Sequence, residues 1–534
     1  MRSMRLALVV LAGLSMAPKS KLDPASYIPA DAAMLLHVPD PRGALTRIER
    51  LAASAGLAPP GAEPGWIVAQ LAAEQPGAGE IDLDRPLWFA ARPGPDGRLN
   101  PDDPDFVLVA GVKGSAKNIL DQVEDERVSA RVVDGWLLAG HAQKGQKLAP
   151  ARKRFRFAKT TGDLREAASV LFRLDFAKFP LEAMADGTAS LEQMRMTQQM
   201  LGQLTFGLGL ADTGIDILMH SAPEPTSPMA KLYAGVSNRK GGLLSGLPPA
   251  AYTFLAGGSW TSDYSPALLK MYRPTFLDML KEQGQGRLIK FYDEMINILS
   301  ADESKCGQSS LGFAMPSGLE STFMVSTARC KDAGAVQGTW DKMIRFVNRL
   351  IEDVEKREKE EFPVRVARTG QTSKVGGVAM RAIGLDFGED APPDIPPLMQ
   401  VPLQVGIVSK SVSVMSWNAP KAFMAKHVAA AKAGRPTPVG GFSVARDHLL
   451  EPRLSEGYLN VGSLVVPFLD EEMAPMRFML NALPPIGLAT RGYGDGSSLT
   501  QIWLPPQLAQ MAASFAQMAN GGPPTGPRGP GKNR

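Results

Sequence analysis

The chain has 534 residues and a mass of 57.1 kDa, a length for two to four domains of the usual ~100–200 residues. With 44% hydrophobic residues it can bury ordinary cores, and a formal charge of only +4 lacks the strong basicity of a dedicated nucleic-acid binder. Two cysteines exclude a disulfide-dense scaffold, and 53 Gly with 44 Pro stay below the share that marks low-complexity chains.

Residues 1–20 read as a secretory signal. Arg2 and Arg5 give a positive start, and Leu6–Ala17 form an apolar stretch too short to span a bilayer but suited to a signal core. Ser15-Met16-Ala17 has the small-x-small form of a cleavage site, although the following Pro18 is unfavourable to the peptidase. No Cys follows, which argues against a lipid-anchored form. The competing reading is a buried N-terminal helix of a cytoplasmic protein. After Lys21 no apolar run approaches 18 residues, so an extracytoplasmic chain without a further membrane span is expected.

Alternating strand patterns then end in turn signals and give way to amphipathic helices. Ala32–Val38 reads as a strand, and Asp40-Pro41 caps a helix with Leu45, Ile48 and Leu51 on its apolar face, ended by Gly56. Leu87–Ala91 and Phe106–Val112 are strands, and Val128–Ala139 is a hairpin turning at Asp134-Gly135. Ser169–Phe176 is a strand, Met194–Leu201 is helical, and Leu204–Met219 is a hairpin turning at Asp212-Thr213-Gly214.

The same order recurs from Leu247. Pro249-Ala250-Ala251-Tyr252 echoes Pro29-Ala30-Asp31-Ala32 in opening a strand. A hairpin around Gly318 answers the pair Leu87–Val112, and the helix after Cys330 carries an apolar stripe of Val336, Trp340, Val347 and Val354. Leu403–Trp417, Tyr458–Phe468 and Gly487–Leu504 complete the correspondence, with a hairpin-like insertion over 364–386. This predicts an α+β fold: two tandem related units, 21–245 and 246–518, each of antiparallel hairpins with helices packed on one face. Residues 519–534 read as a disordered, basic Gly/Pro-rich tail. The Pro-led strand opening each half, followed by hairpin–helix units, resembles a group of exported bacterial proteins of unknown function. That resemblance implies an extracytoplasmic α+β protein and no particular activity.

Cys306 and Cys330 are numbered symmetrically about Gly318. A hairpin of Ser309–Met315 and Leu319–Thr327 around the Pro316-Ser317-Gly318 turn would bring them opposite one another, so a structural disulfide is expected.

Motifs for chemistry are sparse. The five histidines have no metal-ligand spacing. Gly257-Gly258-Ser259-Trp260 follows a strand and is the nearest approach to a nucleophile turn, yet it lacks the second glycine of Gly-x-Ser-x-Gly; a capped glycine turn is the plainer account. Asp96, Asn100 and Asp102 put hard oxygens in one loop, but Arg98 and Pro101 break the calcium-loop pattern and suggest simple solvation. Met473, Met476 and Met479, with a weaker group at Met194, Met196 and Met200, could present thioethers to copper(I) or line an adaptable apolar groove, against the simpler reading of core filling. Lys144, Lys147, Arg152, Lys153, Arg154, Arg156 and Lys159 form a run of seven cations without an acid. Arg154 and Arg156 would share one strand face, suited to an anionic envelope surface or acidic partner, or would simply guard a strand edge.

No cofactor, nucleic-acid partner or catalytic residue is predicted. The leading expectation is an exported, non-enzymatic binding or scaffold protein. A lipid or hydrophobic-ligand carrier with a Met-lined groove, and a hydrolase using Ser259, are the alternatives.

Overall fold

The computed structural model describes residues 23–511, apart from 55–57, 60, 76, 95, 101–103, 124–126, 142–147, 152, 154, 158–161, 181–190, 262–263, 287, 303, 359–363, 388–396, 436–439, 471–472 and 509–510. The expected signal and tail therefore lie outside the described residues. Mixed helix and antiparallel sheet bear out the α+β class. The chain divides into two compact units, Met1–Glu224 with Leu499–Arg534, and Pro225–Ser498. Among the described residues no helix is long and apolar enough to cross a membrane.

The first unit contains β1 (Met34–Val38), β2 (Leu87–Arg92), β3 (Asp105–Gly111), β4 (Val128–Val133), β5 (Trp136–His141), β6 (Val170–Asp175), β7 (Gln203–Ala211) and β8 (Gly214–Ala222). Antiparallel pairing sets the order β4-β5-β3-β2-β1-β6-β7-β8. The helix Pro41–Ser54 starts where Asp40 Oδ1 accepts from the Gly43 N–H at 2.9 Å. It buries Ala44 and Leu45 against Leu108, Ala110, Leu137 and Ala139 of the sheet. Ile48, expected on that buried face, is exposed, and Glu49 is buried instead. The Glu49 carboxylate accepts from the Gly65 and Ile67 N–H groups at 2.8 and 3.0 Å, satisfying free donors at the start of helix Trp66–Glu74.

Strand alternation sends Leu35, Trp88, Val107, Val109 and Leu138 to the opposite face. There they are covered by irregular segments, with Ile28, Leu148 and Phe155. Helix Gly162–Ala167 also lies on that side, its Leu164 and Ala168 beyond it packing over Gly207. The expectation of helices on a single face is corrected for this unit.

The second unit contains β9 (Phe254–Ser259), β10 (Cys306–Ala314), β11 (Phe323–Cys330), β12 (Arg365–Val375), β13 (Val378–Asp386), β14 (Leu403–Ser409), β15 (Val412–Trp417), β16 (Ser455–Leu459) and β17 (Ile486–Gly492). Their order is β12-β13-β14-β15-β11-β10-β9-β16-β17, all antiparallel. The last strand, β18 (Ser498–Leu504), pairs with β8 and counts with the first unit. The predicted insertion over 364–386 is the β12–β13 hairpin, whose Val375, Val378 and Met380 pack on Met424 and Val428 of helix Lys421–Ala433.

Two local expectations are corrected. Tyr458–Phe468 is a strand only to Leu459; Asn460 then accepts from the Ser463 N–H at 3.0 Å and starts helix Val461–Val465. Leu319 does not resume the strand, because Leu319–Ser321 form a single helical turn held by the Gly318 carbonyl, and β11 begins at Phe323. Regular pairing of Gln308 with Arg329 would set Gly307 opposite Cys330. An irregularity between Cys306 and Gln308 restores the balance, so Cys306 faces Cys330 and the two form the disulfide.

The bridge closes a loop with a sequence separation of 24, which stabilises the fold by about 3 kcal/mol in a chain-entropy treatment. Urea unfolding of the Cys306→Ser, Cys330→Ser double variant should show a loss near that size; an unchanged midpoint would remove the structural role.

Candidate functional site

The alternation of β9, β10 and β11 puts Gly257, Ser259, Gln308, Ser310, Thr327 and Arg329 on one sheet face. Polar residues there would be costly to bury without partners. The partner is the segment Gly242–Leu247, laid across them. Gln308 Nε2 donates to the Gly242 carbonyl at 2.8 Å, Ser310 Oγ to Ser245 O at 3.1 Å and Thr327 Oγ1 to Gly246 O at 3.1 Å. Leu243, Leu244 and Leu247 are buried with it. Two glycines allow the close approach. A Cβ on Gly257 would lie 2.3 Å from the Leu243 carbonyl oxygen, and Gly246 combines φ +94 with a contact on the Thr327 side chain.

Thr327 spends its one proton on Gly246, so its lone pairs accept from Nε2–H of His427 at 2.9 Å. That histidine is buried, and burial pulls its pKa down to about 4, so it is neutral over most of the physiological range. A second polar group lies under the same face. Glu456 accepts from the Tyr458 hydroxyl at 2.8 Å and stands 3.5 Å from Arg453 Nε, all three side chains being almost inaccessible. Burial, and then the Glu456 carboxylate, push the Tyr458 pKa up and keep the donor protonated.

Past the end of the Gly242–Leu247 segment the same face opens into a pocket of about 440 Å³. Its floor is the cross-strand row Ser259, Gln308 and Arg329, which the sheet register places side by side. Arg239, Lys305 and Lys331 add three more cations to the lining, and among the described residues no carboxylate lines it. Among the described residues Arg239, Arg329 and Lys331 form no ion pair; Arg239 donates to Gln308 Oε1 at 3.1 Å and Arg329 to Ser245 Oγ at 3.3 Å. Lys305 adopts a left-handed φ of 47, turning the chain into β10 just before Cys306. Four cations around one polar concavity favour an anion.

Two other cavities are less distinctive. One of about 470 Å³ beside Asn418 has Glu320 as its only charged lining residue among the described residues. One of about 350 Å³ in the first unit holds Arg47 and Arg50, but Asp212 already pairs with Arg50 at 3.2 Å.

The residues singled out in the sequence distribute as follows. Ser259 lines the cationic pocket, buried at the last position of β9. Helix Tyr264–Glu282 starts five residues later, so Ser259 does not stand on a sharp strand-to-helix turn. Among the described residues no histidine or carboxylate bonds its hydroxyl. The adjacent glycines serve packing: Gly257 admits the Leu243 carbonyl, and Gly258 admits the Trp260 ring. Of the basic run, Lys153 and Arg156 are exposed, while Lys144, Lys147, Arg152, Arg154 and Lys159 lie outside the described residues. The stretch from Phe155 to Phe157 is not a strand; Phe155 is buried and its ring meets Phe157 edge-on at 4.9 Å. Asp96 accepts from the Arg98 N–H in its own loop, Asn100 is exposed, and Asp102 lies outside the described residues. Among the described residues no three His, Cys, Asp or Glu side chains group to hold a metal. Met473 precedes helix Ala474–Asn481, with Pro475 in its first turn; Met473 and Met479 are exposed and Met476 is half-buried. Met194 is buried in helix Leu191–Leu201. Sequence reasoning missed Arg239, Lys305, Arg329 and Lys331; the basic triplet around Cys330, Arg329-Cys330-Lys331, was the available signal.

No protein-family model, curated protein or solved structure matches this chain.

Two measurements check this geometry. His427 is protonated more readily unfolded than folded, so its contribution is complete above pH ~6.5 and is lost as pH falls toward 4, a span of about 3 kcal/mol. Urea midpoints of the wild type should drop across that window, and His427→Gln should flatten the drop. Gly257→Ala should cost roughly 1–3 kcal/mol through the clash with Leu243; a neutral effect would mean that the segment does not press on β9.

Proposed function

We propose that this is an exported, non-enzymatic binding protein, built by tandem duplication of an α+β unit, whose second unit takes a small multivalent anion. The carrying observation is the pocket of about 440 Å³ lined by Arg239, Lys305, Arg329 and Lys331, with no carboxylate among the described residues of its lining. Carboxylate, phosphate or sulfate oxygens would accept from the guanidinium and ammonium groups, and the Ser259 and Gln308 side chains would supply neutral hydrogen bonds beside them.

The duplication is supported by topology. The first-unit order β5-β3-β2-β1-β6-β7 has the counterpart β15-β11-β10-β9-β16-β17, with chain position matching at every step. Export is supported by the signal-like residues 1–20 and by a disulfide, which persists in oxidising compartments. The resemblance to exported bacterial proteins agrees with both.

One observation favours the second reading, a carrier or sensor of lipidic molecules. Phe468, Met473, Phe478 and Met479 are all exposed along 468–479, and Phe478 is 78% accessible. The hydrolase reading has less support, since Ser259 has no base beside it among the described residues.

Calorimetric titration of the full chain with inorganic phosphate and with citrate at low ionic strength should give saturable binding that weakens as salt is added. Lys331→Ala and Arg329→Ala should each weaken it by about tenfold or more. Absence of saturable heat for either anion would overturn the reading.

A further inference from the structure

The cationic pocket holds more than charge. Ser237, Ser259, Thr261 and Ser411 put four hydroxyls in its lining, and among the described residues none of the four side chains bonds another protein group. Ser237 and Ser411 are exposed, so water accounts for them. Ser259 is different. It is only 7% accessible, its N–H is already given to the Leu454 carbonyl, and alternation along β9 turns its side chain to the face of Gln308 and Arg329. A buried hydroxyl without a protein partner is uncommon, because leaving it dry and unpaired is costly. Thr261, half-buried two residues further on, lines the same pocket with its hydroxyl equally unengaged. Gln308, by contrast, is saturated by the protein: Nε2 donates to the Gly242 carbonyl and Oε1 accepts from Arg239.

The lining also limits the body of the ligand. Trp260 is the only aromatic residue among the described lining residues, and its ring does not face the floor. A Cβ on Gly258 would lie 2.6 Å from the indole, and Gly258 points to the sheet face opposite Ser259. The ring meets Tyr264 with centroids 4.8 Å apart. Val236 is the only aliphatic residue among the described lining residues. Pockets for apolar molecules are lined mainly by hydrophobic and aromatic side chains, and this one is not. A flat or oily body would shut water away from the hydroxyls and leave them unpaired. A volume of about 440 Å³ also exceeds what one inorganic anion fills, and it falls within the ~300–1,000 Å³ usual for small-molecule sites. We propose that the pocket takes a monosaccharide bearing a phosphate or carboxylate group. The charged group lies among Arg239, Lys305, Arg329 and Lys331, and the ring hydroxyls exchange hydrogen bonds with Ser259 and Thr261. The inference rests on the anion-binding reading of this pocket and adds to it a polyhydroxylated body.

The test is calorimetric titration of the full chain at low ionic strength with glucose 6-phosphate, glucuronate, inorganic phosphate, acetate, phenyl phosphate and glucose. Glucose 6-phosphate should bind about tenfold or more tighter than inorganic phosphate, or glucuronate tighter than acetate by the same margin, since several hydrogen bonds are added to the same charge. Phenyl phosphate, which carries the anion on a flat apolar body, should gain nothing over inorganic phosphate. Ser259→Ala and Thr261→Val should each shrink the ratio of sugar to parent-anion affinity by about two- to tenfold, the size of one neutral hydrogen bond. That ratio is read on one folded protein, so a general loss of stability does not imitate it. Phenyl phosphate bound as tightly as glucose 6-phosphate, or ratios unmoved by both variants, would overturn the proposal. Its failure is distinct from that of the reading beneath it. Inorganic phosphate that binds with no gain from either sugar sinks the saccharide inference alone. Glucose that binds as tightly as glucose 6-phosphate sinks the anion reading, and this inference with it.

Discussion

The second unit depends on one contact: the segment Gly242–Leu247 pressed onto the polar face of β9, β10 and β11. Three side chains of the sheet donate to three carbonyls of that segment, those of Gly242, Ser245 and Gly246, so that buried hydroxyl and amide groups and buried main chain satisfy each other. Neither surface would be stable alone. A net hydrogen bond contributes only about 1 kcal/mol, but leaving one of these groups buried and unpaired costs about 1–3 kcal/mol. The arrangement therefore acts by penalty more than by gain, and it fixes where the segment stops. Where it stops, the sheet face is left open, and the row Ser259, Gln308 and Arg329 becomes the pocket floor.

The same face carries charge inward. Glu456 lies opposite Gly257 across β16 and β9, buried with Arg453 and Tyr458. A buried pair of this kind is weak evidence for stability, because desolvation offsets most of the Coulomb attraction. Its consequence is geometric. The Arg453 carbonyl accepts from the Arg239 N–H at 2.8 Å and returns an N–H to the Arg239 carbonyl at 3.0 Å, so the buried residue anchors the backbone from which the pocket cation Arg239 projects. Ser259 is held likewise, its N–H donating to Leu454 O at 2.9 Å.

Much of the fold was legible from local pattern. Asp134-Gly135 marked its hairpin, with positive φ at both residues, and the period-two runs over 403–417 and 204–219 marked theirs. Local pattern failed where a polar residue had a distant role. Glu49 reads as a solvated helix position, yet it is drawn inward by the N–H groups of a helix that begins at Trp66. Asn460 interrupts an apolar run that periodicity alone assigns to a strand, and its side chain decides for a helix. The disulfide was legible because hairpin pairing is local and symmetric, even though the turn contains a helical stretch that the symmetry does not reveal.

The pocket was illegible for a different reason. Charge is easy to see in sequence when it is contiguous, as over 144–159, and contiguity is a poor guide to a site. A run of cations repels itself and is usually spread into solvent. A binding site needs the opposite: cations from separate segments forced together by a scaffold that prevents them from moving apart. Here Arg239 comes from the segment before β9, Lys305 from the turn into β10, Arg329 from the end of β11, and Lys331 from the residue after the disulfide. Each is unremarkable at its own position. Their mutual repulsion is carried by the sheet register, by the sulfur bridge between β10 and β11, and by the polar contacts of Gln308 and Ser245 with Arg239 and Arg329. An anion that entered would relieve that repulsion, and so would bind most tightly where the scaffold holds the cations most rigidly. The bridge between β10 and β11 is one of the constraints that supply such rigidity, so loosening it would also weaken the hold on any anion seated there.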